Sequence, residues 1–213
     1  MEGVLNLLEI KSYEKPRTHI IIDDFFTEDQ LLEIYNEIIS LKDFFSVGTF
    51  KSDGREIIAD IKKNKIIWLD NIFHDGEKST ILTQFKDVFW SEKIKNYLNE
   101  HRDPIYQSML ITNSDSTQLS VYDDGDYYDE HRDTDGVGGY LTVIIFICKE
   151  PKKFEGGDFI MRYENEKKKI DFKNNRCLIF PSGTLHRVTT IKLNSNDFID
   201  KRFAIQYWPR YRI

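Results

Sequence analysis

From about Ser116 onward, the sequence alternates short apolar runs with clusters of turn-forming residues. Seven such runs follow one another: TQLSVY, YLTVIIFIC, GGDFIMRY, KKIDF, RCLIF, HRVTTI and RFAIQYW. Apolar runs bounded by turn residues are typical of β-strands, and many of them at close spacing indicate an antiparallel sandwich or barrel. This part of the chain is therefore predicted to be mainly β.

The N-terminal part has a different pattern, in which helices predominate. Residues 19–22 are predicted to form a strand, and an amphipathic helix follows it. The apolar face of this helix consists of Leu31, Leu32, Ile34, Tyr35, Ile38 and Ile39. Thr27 and Gln30 match a capping box at its start. A second helical region is predicted over residues 78–101.

Length and composition favour one folded unit. A chain of 213 residues with 40% hydrophobic and 31% charged residues falls in the globular range and can bury one sizeable core. We see no linker, internal repeat or low-complexity tract. We therefore expect a single domain over residues 1–213, with a helical and strand support region at 1–115 and a β core that carries the functional site at 116–213.

Charge and hydropathy disfavour several classes of partner. No run of eighteen or more apolar residues occurs, and the first residues, MEGVLNLLEIKSYEKPR, mix acids into an apolar stretch, unlike a secretory signal. We expect a soluble, cytoplasmic protein with no membrane partner. The net charge of −6 gives no general attraction to phosphate backbones, so nucleic acid is not an expected partner. Cys148 and Cys177 lie in apolar runs and are expected to be buried free thiols.

The stretch YDDGDYYDEHRDTDG, residues 122–136, places His131 among seven carboxylates. Its register overlaps the start of an EF-hand loop, but that loop would begin with histidine and close at Thr142, which has no carboxylate. The glycines of GVGGY lead into a strand, whereas a dinucleotide-binding loop leads into a helix. Calcium and dinucleotide binding are therefore both disfavoured.

A transition-metal site accounts for the histidine better. His131 and Asp133 are two residues apart, so in an extended segment their side chains leave the same face. His186, at the start of another strand, is the candidate third ligand. Two imidazoles and a carboxylate with open positions are associated with non-haem Fe(II), and zinc accepts the same ligands. The alternative, favoured by the short H-x-D pattern alone, is that both histidines are ordinary loop and turn residues.

Several segments together resemble one enzyme family. The pattern Y-x-x-G-x-x-Y-x-x-H-x-D over residues 122–133 resembles the metal-binding segment of Fe(II)- and 2-oxoglutarate-dependent oxygenases, in their prolyl 4-hydroxylase-like branch. FEGGDFIM is similar to the Gly-Gly strand of that family, NNRCLIFPSGTLHRV to its distal-histidine segment, and KRFAIQYW to its closing strand. HIIIDDFFTEDQLLEI is similar to its lead-in. These matches fall within residues 18–208, and residues 45–113 carry none.

The resemblance implies a double-stranded β-helix, or jelly roll, supported by N-terminal helices. It also implies that His131, Asp133 and His186 bind Fe(II), which 2-oxoglutarate chelates through its keto acid end. Oxygen (O2) would be the second co-substrate, and succinate and CO2 would be the co-products of substrate hydroxylation. Ascorbate is expected as a supporting reductant.

The far carboxylate of 2-oxoglutarate requires a cation in its pocket, because a buried charge needs a partner. Arg202 is the predicted anchor, since it opens the strand RFAIQYW, in which alternate residues share one face. Sixteen residues separate it from His186 (202 − 186), which is longer than is usual in the family. Lys192 and Lys201 are therefore the alternatives.

Other side chains are candidates for the same pocket. Tyr122 and Thr142 resemble positions that reach the co-substrate, and ordinary packing within the sheet is the alternative for both. Tyr128 and Trp208 are candidates for the substrate pocket. Phe146 stands where some relatives have a second tyrosine, so that hydrogen bond would be missing. No role in the site is expected for His19, His74, His101 and Arg187. Asp135 is expected either to be an exposed turn residue or to orient a metal ligand.

The leading hypothesis is an Fe(II)/2-oxoglutarate-dependent dioxygenase of the prolyl-hydroxylase type that acts on a protein or peptide. The resembled family also acts on free amino acids and other small molecules, and the fold alone does not choose among these substrates. A non-catalytic, metal-binding jelly roll is the other alternative, favoured by Phe146 and by the displaced Arg202. Failure to bind 2-oxoglutarate would distinguish it from an enzyme.

Overall fold

Two antiparallel sheets and a layer of helices make up the fold. The computed structural model describes residues 8–15, 17–48, 50–52, 55–57, 61–73, 78–135 and 140–211. The strands are β1 (Glu9–Tyr13), β2 (His19–Asp23), β3 (Ser46–Val47), β4 (Phe50–Ser52), β5 (Arg55–Ile57), β6 (Lys62–Lys63), β7 (Lys65–Trp68), β8 (Ser114–Tyr122), β9 (Tyr127–His131), β10 (Leu141–Ile147), β11 (Phe154–Glu155), β12 (Phe159–Tyr163), β13 (Glu166–Ile170), β14 (Arg176–Pro181), β15 (Leu185–Val188), β16 (Lys192–Leu193) and β17 (Arg202–Arg210). The α-helices are α1 (Glu28–Ser40), α2 (Leu69–Ile72), α3 (Thr80–Phe89), α4 (Glu92–Asn99) and α5 (Pro104–Gln107). Single 3-10 turns lie at Lys42–Phe44, Ser108–Ile111, Asp133–Asp135 and Phe198–Asp200.

The larger sheet has eight strands in the order β1-β2-β14-β10-β17-β8-β7-β3, and the smaller has five in the order β13-β12-β15-β9-β6. The pairs β4–β5 and β11–β16 form separate two-stranded sheets. The larger sheet continues across residue 115, because β2 pairs with β14 and β7 pairs with β8. Strands of the predicted support region are thus part of the same sheet as strands of the predicted β core.

Strand β10 is apolar at every position except Thr142. Val143 and Ile145 pack into a hydrophobic cluster that also contains residues of α1, α3 and α4. Ile144 and Phe146 pack into a second cluster, which includes Phe159 of the smaller sheet. Because the strand is covered on both faces, every position in it is buried, and the usual alternation of polar and apolar residues is lost.

The predicted helices are confirmed with refined bounds. Helix α1 begins after Thr27, whose side chain accepts from the Gln30 amide while the Gln30 side chain accepts from the Thr27 amide, as expected of a capping box. The region predicted over residues 78–101 is two helices, since α3 ends before Trp90 and α4 begins after Ser91. The strands β3 to β7 were not predicted, because each has only two to four residues, too few to show an alternating pattern.

Several smaller expectations can also be compared with the structure. Cys148 and Cys177 are buried free thiols, as predicted. No helix within the described ranges is long and apolar enough to cross a membrane. His74 and the side chain of Asp135 lie outside the residues that the structure describes.

Candidate metal centre

The two histidines of the predicted site come together through strand pairing in the smaller sheet. His131 is the last residue of β9, and His186 lies on β15, which pairs with β9 so that the two histidines are direct register partners. Asp133 is not in an extended segment, as the sequence spacing had suggested, because β9 ends at His131 and a 3-10 turn begins at Asp133. The Asp133 amide donates to the Ser182 carbonyl at 3.0 Å, which ties this turn to the end of β14.

Three ligand atoms converge at this point. Oδ1 of Asp133 lies 3.5 Å from Nε2 of His131 and 3.7 Å from Nε2 of His186. The three residues can each present a ligand atom within 4.8 Å of the others. Ligand atoms about 2.1 Å from a common ion lie roughly 3 to 4 Å apart, so this spacing suits one metal ion.

Both histidines are held in the tautomer that a metal requires. Nδ1 of His131 donates to the Asp129 carbonyl at 2.7 Å, and Nδ1 of His186 donates to the Thr184 carbonyl at 2.8 Å. A carbonyl oxygen can only accept, so in each ring Nδ1 carries a proton and Nε2 is the nitrogen that faces Asp133. Such hydrogen bonds orient metal-ligating histidines in known sites.

The second carboxylate oxygen of Asp133 is held by two residues predicted to have other roles. Thr142 donates to Oδ2 at 2.8 Å, and the indole Nε1 of Trp208 donates to the same oxygen at 3.3 Å. The Ser182 hydroxyl lies 3.0 Å from that of Thr142 and can donate to it. Oδ2 is therefore occupied by protein donors, whereas Oδ1 faces the histidines.

The electrostatics of the centre favour metal binding near neutral pH. Burial, together with the neighbouring His131, lowers the pKa of His186 to about 4, so its ring is neutral at pH 7. Burial tends to raise the pKa of Asp133, but attraction to the imidazoles of His186 and His131 and the hydrogen bond from Thr142 outweigh it and hold that pKa below its usual value. A neutral imidazole and an ionised carboxylate are the forms that bind metal ions.

Tyr128 covers one side of the centre. Its ring stacks on that of His131 with 3.4 Å between centroids and 8° between planes. The ammonium of Lys62 lies 4.8 Å from the centroid of the Tyr128 ring. Burial lowers the pKa of Lys62 to about 8, and the nearby Asp133 partly offsets this effect. The sequence had not singled out Lys62, because it belongs to a basic run that reads as solvent-exposed.

Arg202 lies in the core between the two sheets with 1% of its surface exposed. Its guanidinium carbon is 4.6 Å from the ring centroid of Tyr122, its register partner on β8. Nε donates to the Gly157 carbonyl at 3.1 Å, but Nη1 is buried and has no hydrogen-bond partner among the described residues. A buried cation without a partner is costly, so this arrangement indicates a site for an anion.

The two alternative anchors lie elsewhere. Lys192 is exposed on the short strand β16. Lys201 forms an ion pair with Asp123 at the surface. Of the three candidate cations, Arg202 is therefore the buried one, and among the described residues its Nη1 has no hydrogen-bond partner.

Comparison with known proteins agrees with this geometry. Residues 117–210 match the family described as the 2OG-Fe(II) oxygenase superfamily. An uncharacterised PKHD-type hydroxylase from a Synechocystis strain is 27% identical over 136 residues, which span 57% of this chain and 45% of that protein. A PKHD-type hydroxylase from Prochlorococcus marinus is 25% identical over 154 residues, or 67% of this chain and 68% of that protein.

Solved structures of low sequence identity share the fold. A prolyl-4-hydroxylase from Pseudomonas putida superposes with a TM-score of 0.64 at 14% identity and covers 90% of this chain and 92% of that chain. A prolyl hydroxylase from Trichoplax adhaerens, solved with a peptide of the hypoxia-inducible factor oxygen degradation domain, gives a TM-score of 0.67 at 19% identity. It covers 90% of this chain and 82% of that chain.

These structures confirm the predicted jelly-roll fold. Residues 117–210, which match the 2OG-Fe(II) oxygenase model, include His131, Asp133, His186 and Arg202. This similarity supports the predicted class, a dioxygenase that uses Fe(II), 2-oxoglutarate and O2.

Proposed function

We propose that this chain hydroxylates a side chain of a protein or peptide in a prolyl-hydroxylase-type reaction. In this proposal, His131, Asp133 and His186 hold Fe(II), and Arg202 binds the far carboxylate of 2-oxoglutarate. The observation that carries it is the convergence of two Nε2 atoms and one carboxylate oxygen in a core that also contains an arginine with a buried nitrogen unpaired among the described residues.

The residues of the centre fit Fe(II). Two imidazoles and one carboxylate are the ligand set of non-haem Fe(II) oxygenases, and they leave coordination positions open. The backbone carbonyls behind both histidines bind Nδ1 and leave Nε2 as the ring atom available to the iron.

The surroundings of Arg202 fit the far carboxylate of 2-oxoglutarate. Within the described ranges Nη1 is buried and has no hydrogen-bond partner, and a carboxylate oxygen would supply the missing acceptor. Aromatic rings surround the guanidinium, with centroids at 4.6 Å for Tyr122, 5.3 Å for Phe172 and 5.6 Å for Phe146. In such a dry environment a charge-assisted hydrogen bond is stronger than in water.

When bound, iron and 2-oxoglutarate supply the oxidising chemistry that couples release of succinate and CO2 to substrate hydroxylation. The protein positions the metal ligands and the far carboxylate of 2-oxoglutarate. Thr142 and Trp208 hold Oδ2 of Asp133 and thereby present Oδ1 to the metal side. Phe159 and Phe180 pack around the His186 ring with centroids 4.9 Å and 5.0 Å away and keep water from it. Arg202 neutralises the far carboxylate.

A polypeptide substrate is supported by similarity. The Trichoplax adhaerens prolyl hydroxylase, with the same fold, was solved with a peptide. Tyr128, stacked on His131, would form an aromatic wall against which an apolar side chain packs. Free amino acids and other small molecules are the alternative substrates, and ascorbate is proposed only as a supporting reductant.

The first test is iron-dependent succinate formation. Wild-type protein with Fe(II) and 2-oxoglutarate should release succinate, and His131→Ala should abolish both iron binding and turnover, because a facial triad has no spare ligand. The matched control is His101→Ala, which removes a histidine that instead hydrogen-bonds Ser12. Wild-type turnover in His131→Ala would overturn the site.

The second test concerns the substrate class. A proline-containing peptide library and free amino acids are incubated with the loaded enzyme, and mass spectrometry detects addition of one oxygen. Hydroxylation of peptides alone is the expected result. Hydroxylation of free amino acids alone would favour the small-molecule alternative, and absence of 2-oxoglutarate binding would favour the non-catalytic module.

A further inference from the structure

Gly157, in the loop before β12, lies against the side chain of Arg202. Its carbonyl oxygen accepts from Nε of Arg202 at 3.1 Å. This is the one hydrogen bond that the guanidinium makes to the described part of the chain. The rings of Tyr122, Phe146 and Phe172 pack around the guanidinium but leave its rotation unspecified. Hydrogen bonding by Gly157 therefore fixes the plane in which Nη1 lies.

A side chain at position 157 would disturb this contact. A Cβ there would lie 2.8 Å from Cδ and 3.1 Å from Nε of Arg202, and 2.7 Å from Cδ1 of Ile191. The backbone φ of Gly157 is +70°, a conformation that other residues rarely adopt. Glycine is thus required at 157 both by the backbone and by the closeness of the arginine.

We propose that Gly157 is a positioning residue for the co-substrate, because its carbonyl oxygen aims Nη1 of Arg202 at the far carboxylate of 2-oxoglutarate. This inference rests on the proposed function, in which Arg202 binds that carboxylate. Gly157 itself touches neither the metal ligands nor the reacting atoms. Its loss should weaken recognition of the far carboxylate and leave chelation by the keto acid end intact.

Two 2-oxo acids separate these effects. Pyruvate has the same keto acid end as 2-oxoglutarate and lacks the far carboxylate. Anaerobic titration of the Fe(II)-loaded protein with each acid, followed by the visible charge-transfer band, gives two Kd values whose ratio measures recognition of the far carboxylate. Gly157→Ala should reduce the preference for 2-oxoglutarate by roughly ten- to hundredfold, the range expected for one charge-assisted hydrogen bond, and leave the pyruvate Kd unchanged.

Gly125→Ala is the matched control. Gly125 has almost the same φ, +74°, but its Cβ would meet only Lys63 Nζ, at 3.4 Å. It therefore shares the backbone strain of a substitution at 157 without the contact to Arg202. The preference for 2-oxoglutarate should be unchanged in this control. An equal loss in both variants would mean that backbone strain, and not Arg202, causes the effect.

Two further variants keep the test decisive if Gly157→Ala fails to fold. Gly157→Ala combined with Ile191→Val removes the closest apolar clash and retains the contact with Arg202. This double variant should lose the preference for 2-oxoglutarate. Arg202→Lys keeps the charge and the native backbone but loses both the Nε–H group that Gly157 holds and Nη1, so its loss of preference tests the arginine anchor separately from Gly157.

Each outcome identifies which claim has failed. If wild-type protein binds both acids equally, Arg202 does not bind the far carboxylate, and that part of the proposed function is wrong. If wild-type protein prefers 2-oxoglutarate and the variants at 157 retain that preference, only the role of Gly157 is wrong. In an Arg202→Ala background, Gly157→Ala should have no additional effect on the ratio, because the two residues act through one contact.

Discussion

At the scale of single residues, the centre depends on hydrogen bonds that fix ligands before any metal binds. The rings of His131 and His186 each donate to the backbone carbonyl two residues earlier. Asp133 is fixed from the other side by Thr142 and Trp208. The sequence predicted the three ligand candidates, but it could not predict the support of Asp133, because only the folded sheet brings Thr142 of β10 and Trp208 of β17 to its carboxylate.

Replacing Thr142 by valine should weaken iron binding by about tenfold, because outer hydrogen bonds to metal ligands typically contribute 10- to 100-fold in affinity. The valine keeps the shape of the side chain and removes the donor to Asp133 Oδ2. Competition with a chelator measures the iron affinity. Thr117→Val is the control, since Thr117 is equally buried on β8 and packs away from Asp133. Equal affinities in wild type and Thr142→Val would contradict this role.

His19 predicts a pH dependence of stability that is separate from the metal centre. Burial lowers its pKa to about 4 from the ordinary 6.5. Between these values the unfolded chain binds a proton that the folded chain does not, so the free energy of unfolding falls as pH falls from 6.5 to 4. The loss should reach up to about 3 kcal/mol, with His186 acting in the same direction.

His19→Asn tests this contribution by urea unfolding across the same pH range. The asparagine amide can replace the Nδ1 donor to the Arg17 carbonyl, 2.7 Å away, and does not titrate. The variant should therefore have a flatter pH profile than wild type. An identical slope in the two proteins would show that His19 binds no proton differentially.

At the scale of elements, the sequence predicted the helices and strands that have a regular apolar pattern. It did not predict the short strands that form only by pairing with a neighbouring strand. The long strands and α1 have uninterrupted or regular apolar patterns, and they appear where they were expected. Strands β6 and β7 have only two and four residues, too few for a recognisable apolar pattern, and they form because β9 and β8 offer free edges. Lys62 and Trp68 therefore reach the neighbourhood of the site without any local signal in the sequence.

Asn175 connects two elements that are far apart in sequence. It lies before β14 with φ of +62°, and its amide side chain bonds both the N–H and the carbonyl of Phe26, each at 2.8 Å. Asn175→Ala should lower the free energy of unfolding by about 2 to 4 kcal/mol, because two buried backbone groups would lose their partners. Urea unfolding measures this loss.

The variant Asn175→Gly separates the two causes. Glycine tolerates the positive φ but also lacks the amide, so it should be nearly as destabilised as the alanine variant. Stability close to wild type in the glycine variant would mean that backbone strain, and not the hydrogen bonds, accounts for the role of Asn175.

At the scale of the whole molecule, the larger sheet joins the two regions that the sequence pattern separates. β2 pairs with the core strand β14, and β7 pairs with β8. The metal centre and Arg202 both face the core between the sheets, so they depend on the same packing. We therefore retain the prediction of a single domain over residues 1–213.

A single domain should unfold in one cooperative transition. In a Trp68→Phe, Trp90→Phe variant, fluorescence reports Trp208 in the β core, whereas far-UV circular dichroism reports the helices. The two urea transitions should coincide. Two separate midpoints would contradict the single domain and would favour an independently unfolding N-terminal region.

The most direct test of the central claim is anaerobic titration of the protein with Fe(II), followed by 2-oxoglutarate. We predict a visible metal-to-ligand charge-transfer band that saturates at one iron per chain, and no such band in His186→Ala. A wild-type protein that forms no band, or a His186→Ala variant that forms the same band with the same affinity, would contradict the assignment of His131, Asp133 and His186 as the iron site.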